Sequence, residues 1–231
     1  MATPTTRIGN LTATEKMFGE LSPTLVRDLE SLTMTNTYPT GAILFGEAET
    51  SRGIYMIIRG KVKLSVCASD GRTLILQVAE SGDALGVAST VSRREYEATA
   101  ETLEPCEISF IRQADLLRLM RAHGELALWV TKQLSLCYNS TCREIRNLML
   151  SESASEKLAR LLVQWLPETE SGRTCQMKLA MTHEEIGQMI GTSRETVTRL
   201  FAGFKKQHLI QLKGSTLLVP DRTALESLIP A

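Results

Sequence analysis

Residues 181–210 read MTHEEIGQMIGTSRETVTRLFAGFKKQHLI, and the period of their apolar positions decides what the end of the chain is. Ile186, Met189 and Ile190 share one helical face; after Gly191, so do Val197, Leu200, Phe201 and Phe204. Thr182 with Glu185, and Thr192 with Glu195, have the spacing at which a hydroxyl and a carboxylate satisfy the free amides of a helix start. The pattern predicts two short helices packed on a common small core, a helix-turn-helix. Downstream, LIQLKGSTLLVP alternates at Ile210 and Leu212, turns at Lys213-Gly214-Ser215 and returns through Leu217 to Val219, which predicts a hairpin wing with Lys213 at its tip.

The outward positions of the second helix carry Ser193, Arg194, Glu195, Thr196, Thr198 and Arg199. Arg194 and Arg199 can each offer a planar fork to O6 and N7 of guanine, and Glu195 can accept from the cytosine N4 amine. Ser193, Thr196 and Lys213 are assigned to phosphates, with Thr182 and His183 at the start of the first helix beside them. Exposed Arg and Glu are also common on solvated helices, so these charges gain their meaning only from the motif around them.

EEIGQMIGTSRETVTRLF resembles the DNA-binding motif of the Crp/Fnr family of bacterial transcription regulators, and Ser193-Arg194-Glu195-Thr196-Val197-x-Arg199 resembles its cAMP-receptor branch. The resemblance implies a TGTGA-like half-site. Upstream, Pro39-x-Gly41, Phe45-Gly46-Glu47, Tyr55 to Ile58, Gly60-x-Val62 and Gly82-Asp83 resemble the family's cyclic-nucleotide-binding β-roll, so that the likeness spans nearly the whole chain. The pocket departs from the family. Gly86-Val87-Ala88 stands where nucleotide binders place a glutamate for the ribose, and counting back from Cys106-Glu107-Ile108 puts Tyr96-Glu97 where they place the arginine of the cyclic phosphate. A buried phosphate facing a glutamate without a cation is penalised by several kcal/mol, roughly the cost of an unpaired buried charge. Ordinary cAMP control is therefore disfavoured, while Arg93 and Arg94 close by leave an altered ligand pocket as the alternative.

The other stretches fit this plan. LSPTLVRDLESL, from Leu21 to Leu32, predicts a leading helix with Ser22 as cap and Pro23 in its first turn. From Tyr38 the period becomes two and glycine-containing turns multiply, as expected of a jelly roll. Arg112 to Arg121 predicts a short helix. After His123-Gly124 a long one runs to Leu150, with Val130, Leu134, Cys137, Thr141, Ile145 and Leu148 near a heptad seam, read as a dimer interface. Ser151 to Ser155 reads as a hinge, SEKLARLLVQW as the first helix of the next domain, and PETESGRT as a loop that in the family can face RNA polymerase. Asp221 to Leu228 closes the chain as a short capped helix. The fold class is α+β: a β-roll sensor domain over residues 1–122, a dimerisation helix over 123–150, and a winged helix-turn-helix over 151–231.

Composition narrows the function classes. With 231 residues and 43 % apolar content the chain can bury two modest cores. No run of eighteen apolar residues could span a bilayer and the start MATPTTRIGN is not a secretory signal, so a cytoplasmic protein with no membrane partner is expected. Net charge is zero, but Met181 to Lys213 holds five cations against three carboxylates, a local excess of two. Five scattered cysteines, Cys67, Cys106, Cys137, Cys142 and Cys175, imply neither a disulfide framework nor a zinc site, and His123, His183 and His208 are isolated. No metal or cofactor is expected. The absence of a phosphate loop, nucleophile elbow or metal triad argues against an enzyme. The expected partners are double-stranded DNA, a second copy of the chain and RNA polymerase, with a small-molecule effector left unidentified; a sensor module acting on a protein partner is the competing reading.

Overall fold

The computed structural model describes residues 18, 20–150, 153–166, 174–179 and 181–229, with side chains at 143, 144 and 146–150 excepted. Of the hinge expected at Ser151 to Ser155, residues 151 and 152 lie outside these residues, whereas Ser153 caps a helix that Ala154 and Ser155 already belong to; the loop expected from Pro167 lies outside them up to residue 173, as does the side chain of Leu148. Contacts divide the chain into two units, residues 1–63 with 78–136 and residues 64–77 with 137–231.

Helix α1 (Pro23–Leu32) is followed by β1 (Met34–Tyr38), β2 (Ile43–Phe45), β3 (Gly53–Arg59), β4 (Val62–Cys67), β5 (Thr73–Ala79) and β6 (Ala84–Leu85). Then come α2 (Val87–Ser92), β7 (Thr99–Thr102), β8 (Cys106–Arg112), α3 (Gln113–Ala122) and the long α4 (Gly124–Leu150). The strands form two four-stranded sheets, ordered β1-β8-β3-β6 and β2-β7-β4-β5. GIYMIIR, buried for most of its length, is the continuous apolar run expected of a strand covered on both faces, and it pairs between β8 and β6. The expected β-roll is present. Two strands carry no apolar signal: MTNTY of β1 is largely exposed, and TAET of β7 is short and polar. Their partners fix them, β1 by antiparallel pairing with β8 from Met34↔Phe110 to Tyr38↔Cys106.

Leu25 and Leu29 of α1 pack with Ile54, Met56, Ile111, Leu116 and Trp129 in the first core, where the Phe18 and Trp129 rings stand 4.7 Å apart. Ser22 precedes α1 but does not cap it. Its amide donates to a Glu125 carboxylate oxygen at 3.0 Å and its hydroxyl to the other, tying the helix start to α4. Those two bonds hold the Glu125 carboxyl below the usual carboxylate range.

The seam expected along α4 needs correction at its beginning. Val130 is 1 % exposed within its own chain, and Leu134 packs partly on the same core. Besides Leu136 at 56 %, Leu128, Tyr138 and Ile145 are instead the exposed large apolar side chains of α4, at 73 %, 69 % and 56 %. Together with Thr131, Ser135 and Cys142, all exposed, they recur at steps of three and four, so the free stripe is 128, 131, 135, 138, 142 and 145. Cys137 and Thr141 are exposed beside it.

In the other unit, α5 (Ala154–Trp165), capped by Ser153 through the Glu156 amide, leads to β9 (Cys175–Lys178), α6 (His183–Ile190) and α7 (Arg194–Lys206). There follow β10 (Gln211–Lys213), β11 (Thr216–Val219) and α8 (Arg222–Glu226), the last capped by Asp221. The wing is a three-stranded sheet, β10-β11-β9, since Cys175 to Lys178 pairs with β11 and extends the expected hairpin. Leu158, Leu162, Ile186, Val197, Phe201 and Leu217 are buried at its core.

Candidate nucleic-acid interface

The interface begins with the turn between α6 and α7. Gly191 ends α6 with φ +67, a left-handed conformation that costs a residue with a Cβ roughly 1 kcal/mol or more. Gly187 matters for a different reason. A Cβ there would lie 2.6 Å from the Thr192 carbonyl oxygen, so the chain leaving α6 runs directly against the helix it has just left. The sequence marks this only as a second glycine four residues before the first.

Both helix starts are capped, one as expected and one differently. Thr182 accepts from the Glu185 amide while the Glu185 carboxylate takes the Thr182 amide at 2.9 Å, a complete capping box. For α7 the cap is Ser193, not Thr192: its hydroxyl accepts from the Thr196 amide at 3.2 Å, and the Thr192 amide is used by the Gly187 carbonyl. Helix α7 therefore starts one residue later than the spacing predicts. Glu195 is freed from a capping role, and its carboxyl is held below the usual range by its own backbone amide, then by the Ser193 hydroxyl and the neighbouring Arg194 and Arg199.

Hydrogen bonds join the predicted residues into two chains. In one, Arg199 Nη2 donates to Thr196 Oγ1 at 3.2 Å, which meets Ser193 Oγ at 3.2 Å. In the other, Thr198 Oγ1 donates to the Arg194 carbonyl oxygen and contacts His183 Nδ1, each at 2.9 Å. The His183 ring stacks on Phe201 with centroids 4.7 Å apart, and burial, then Lys205 and Arg194, hold its pKa below the usual histidine value. Arg194, Glu195, Thr198 and Arg199 are exposed and Thr196 is half-buried. Lys213, also exposed, ends β10 opposite Thr216, next to Gly214 with φ +59 in the turn. The assembled surface offers guanidinium, carboxylate and hydroxyl groups without an apolar rim, which suits base edges and phosphates.

The second predicted site does not assemble as one pocket. Val87 and Tyr96 are buried, whereas Arg93, Arg94 and Glu97 are exposed. Tyr96 packs inward: its hydroxyl donates to the Gly53 carbonyl at 2.8 Å and accepts from the amides of Arg52 and Gly53 at 3.1 and 3.3 Å. Its ring stacks on Phe45 with centroids 4.0 Å apart, and a Cβ at Gly86 would lie 2.6 Å from the ring. An open cleft of about 630 Å³ takes in Arg93, Arg94, Tyr96 and Glu97 together with Glu47 and Thr50; Gly86, Val87 and Ala88 do not line it. Counting along the sequence put Tyr96-Glu97 near the cation's place but gave no sign of the aromatic cluster that receives the Tyr96 ring.

Among the described residues no helix is long and apolar enough to cross a membrane, and no group of three or more His, Cys, Asp or Glu side chains could hold a metal ion.

Residues 35–123 match the family model of the cyclic nucleotide-binding domain, and residues 156–228 that of the Crp-like helix-turn-helix domain. The chain is 30 % identical over 185 residues to the cAMP-activated global transcriptional regulator CRP of Pasteurella multocida, covering 79 % of this chain and 88 % of that protein. It is 27 % identical over 212 residues to the CRP-like cAMP-activated global transcriptional regulator of Mycobacterium tuberculosis, covering 90 % and 94 %. The fold is shared with FixK2 from Bradyrhizobium japonicum at a TM-score of 0.76 and 21 % identity, over 86 % of this chain and 98 % of that one. A β-roll, a capped helix-turn-helix with its wing, and matches along both halves make this chain a member of the Crp/Fnr family of DNA-binding transcription regulators that carry a cyclic nucleotide-binding domain.

Proposed function

We propose that two copies of this chain pair along α4 and bind a palindromic, TGTGA-like operator without control by ordinary cAMP. The observation that carries the DNA reading is the exposed Arg194, Glu195 and Arg199 set on a helix whose start and turn are fixed by Ser193, Gly187 and Gly191. Arg194 and Arg199 take guanines, Glu195 a cytosine amine, and Ser193, Thr196, Thr182 and Lys213 the backbone. Pairing is supported by the stripe Leu128, Thr131, Ser135, Tyr138, Cys142 and Ile145, which the chain's own core leaves uncovered. A two-fold pair presents two recognition helices about 34 Å apart, one turn of DNA. The working division is a sensor domain over 1–122, the pairing helix over 123–150 and the DNA-binding domain over 151–231, with RNA polymerase as the partner at the promoter.

Independence from cAMP is supported by Tyr96. Its side chain takes the place from which a cation would reach a cyclic phosphate, and its hydroxyl already satisfies the backbone of Arg52 and Gly53. A ligand entering there must displace a buried ring and three hydrogen bonds. The outward cleft supports a second reading, in which a different small molecule acts at the surface of the β-roll between Arg93 and Arg94 and the carboxylates of Glu47, Glu95 and Glu97.

Selection of bound duplexes from a random pool tests both halves at once. A symmetric TGTGA-like site recovered equally with and without cAMP is the expected result. An asymmetric site, or enrichment only with the nucleotide, would overturn the corresponding half, and micromolar cAMP binding by calorimetry would defeat the role given to Tyr96.

A further inference from the structure

We infer that His183 bonds the DNA backbone only in its protonated form, so that operator binding takes up a proton at this ring. The inference rests on the DNA-binding reading and deepens it, because the sequence alone makes His183 one more polar residue near phosphates.

Thr198 has a single hydroxyl proton, and the Arg194 carbonyl oxygen 2.9 Å away can only accept it. Thr198 Oγ1 must then be the acceptor in its 2.9 Å contact with His183 Nδ1, so Nδ1 carries the hydrogen. In the neutral ring this leaves Nε2 as a bare lone pair, and among the described residues no partner meets it. A phosphate oxygen is also only an acceptor. Neutral His183 therefore has no donor to offer a phosphate, whereas protonation creates one at Nε2 and leaves the bond to Thr198 untouched.

The ring cannot easily escape this arithmetic by turning over. It is stacked on Phe201, and a flip would exchange the Thr198 bond for a carbon. Its position suits the task, since it opens α6 directly after Thr182, which is assigned to the backbone, and meets α7 at Thr198. The charges around it explain why the proton arrives with the DNA. Partial burial opposes a cation on the ring most, and Lys205 and Arg194 of α7 add to it. On α6 itself Glu184 is adjacent and the Glu185 carboxylate is engaged by Thr182; on α5, which also packs against α6, the charged side chains are Glu156, Lys157 and Arg160. A phosphate brought to Nε2 supplies the negative charge that this setting lacks, which raises the affinity of the bound ring for a proton.

Operator binding by the full-length protein and by His183→Gln, measured at fixed ionic strength from pH 8 to pH 5.5, tests this. Calorimetry in two buffers of different ionisation enthalpy counts the protons. The wild type should tighten roughly five- to tenfold per bound subunit between pH 8 and pH 6, with uptake approaching one proton each. His183→Gln, whose amide can still donate to Thr198, should lose that component. Specific binding by the wild type without proton uptake, or the same uptake by the Gln variant, overturns the inference alone. Failure of the wild type to bind any selected duplex at every pH overturns the DNA-binding reading with it.

Discussion

The two ends of this molecule treat their polar groups in opposite ways. On α7 Thr196 steadies Arg199 and Ser193 steadies Glu195, and these two side chains and that of Arg194 are exposed. Around residues 86–97 the chain turns on itself: Tyr96 stacks on Phe45 and bonds to Gly53, while Arg93, Arg94 and Glu97 are exposed. Both regions descend from one family architecture. A buried aromatic ring of this kind satisfies both its apolar surface and its hydroxyl within one chain. A DNA surface is not satisfied in this way, since its partner must supply the charges.

The contrast can be broken most directly at Tyr96. Tyr96→Ala removes a buried ring and leaves the Arg52 and Gly53 groups unpaired, and it should cost about 3–5 kcal/mol of β-roll stability. The chain's two tryptophans allow the measurement to be local, for Trp129 lies in the β-roll core and Trp165 ends α5. In a Trp165→Phe background, urea unfolding followed by Trp129 fluorescence should move to lower denaturant; an unchanged midpoint would mean that Tyr96 is not what holds the region closed. Gly187→Ala is the corresponding cut at the other end. Its new methyl group meets the Thr192 carbonyl oxygen at 2.6 Å, so the Trp165 transition should fall by about 1–3 kcal/mol, the usual range for overpacking.

Smaller effects sharpen the comparison. Arg194→Ala should weaken binding to the selected operator by about 1–3 kcal/mol and relax the choice at one base pair, while random duplex is bound as before. Equal weakening on both duplexes would reduce Arg194 to a backbone contact. Lys213→Ala should instead weaken all duplexes alike and lower the salt slope by about one per wing engaged. The least effect concerns His183 without DNA. Its pKa in the folded protein lies below the ordinary value of 6.5, so as pH falls through that value the unfolded chain takes up a proton that the folded domain refuses. Stability of the winged domain should therefore decline modestly on the acid side of neutrality, a trend that His183→Gln removes.

Much of this was legible in the amino-acid order. The helical period of Ile186, Ile190, Val197, Phe201 and Phe204 and the Thr182 capping box place α6 and α7, and apolar runs such as GIYMIIR place the inner strands. Position along the chain also singled out Tyr96, though not the Phe45 stacking and Gly53 bond that hold it. What periodicity could not decide was any choice between two equivalent local solutions. Thr192 and Ser193 are both good caps, and Ser193 wins because the close approach at Gly187 uses the Thr192 amide. Helix α4 has two apolar stripes, and only the packing of α1 and the β-roll shows that Leu126, Trp129 and Val130 belong to the chain's own core, leaving Leu128, Tyr138 and Ile145 outside. Strands β1 and β7 are invisible because their stability comes from a partner's backbone, not from their own side chains. Local pattern thus determined which elements exist and which carry charge; the tertiary structure decided which face each turns inward, since burial depends on neighbours that are distant in sequence.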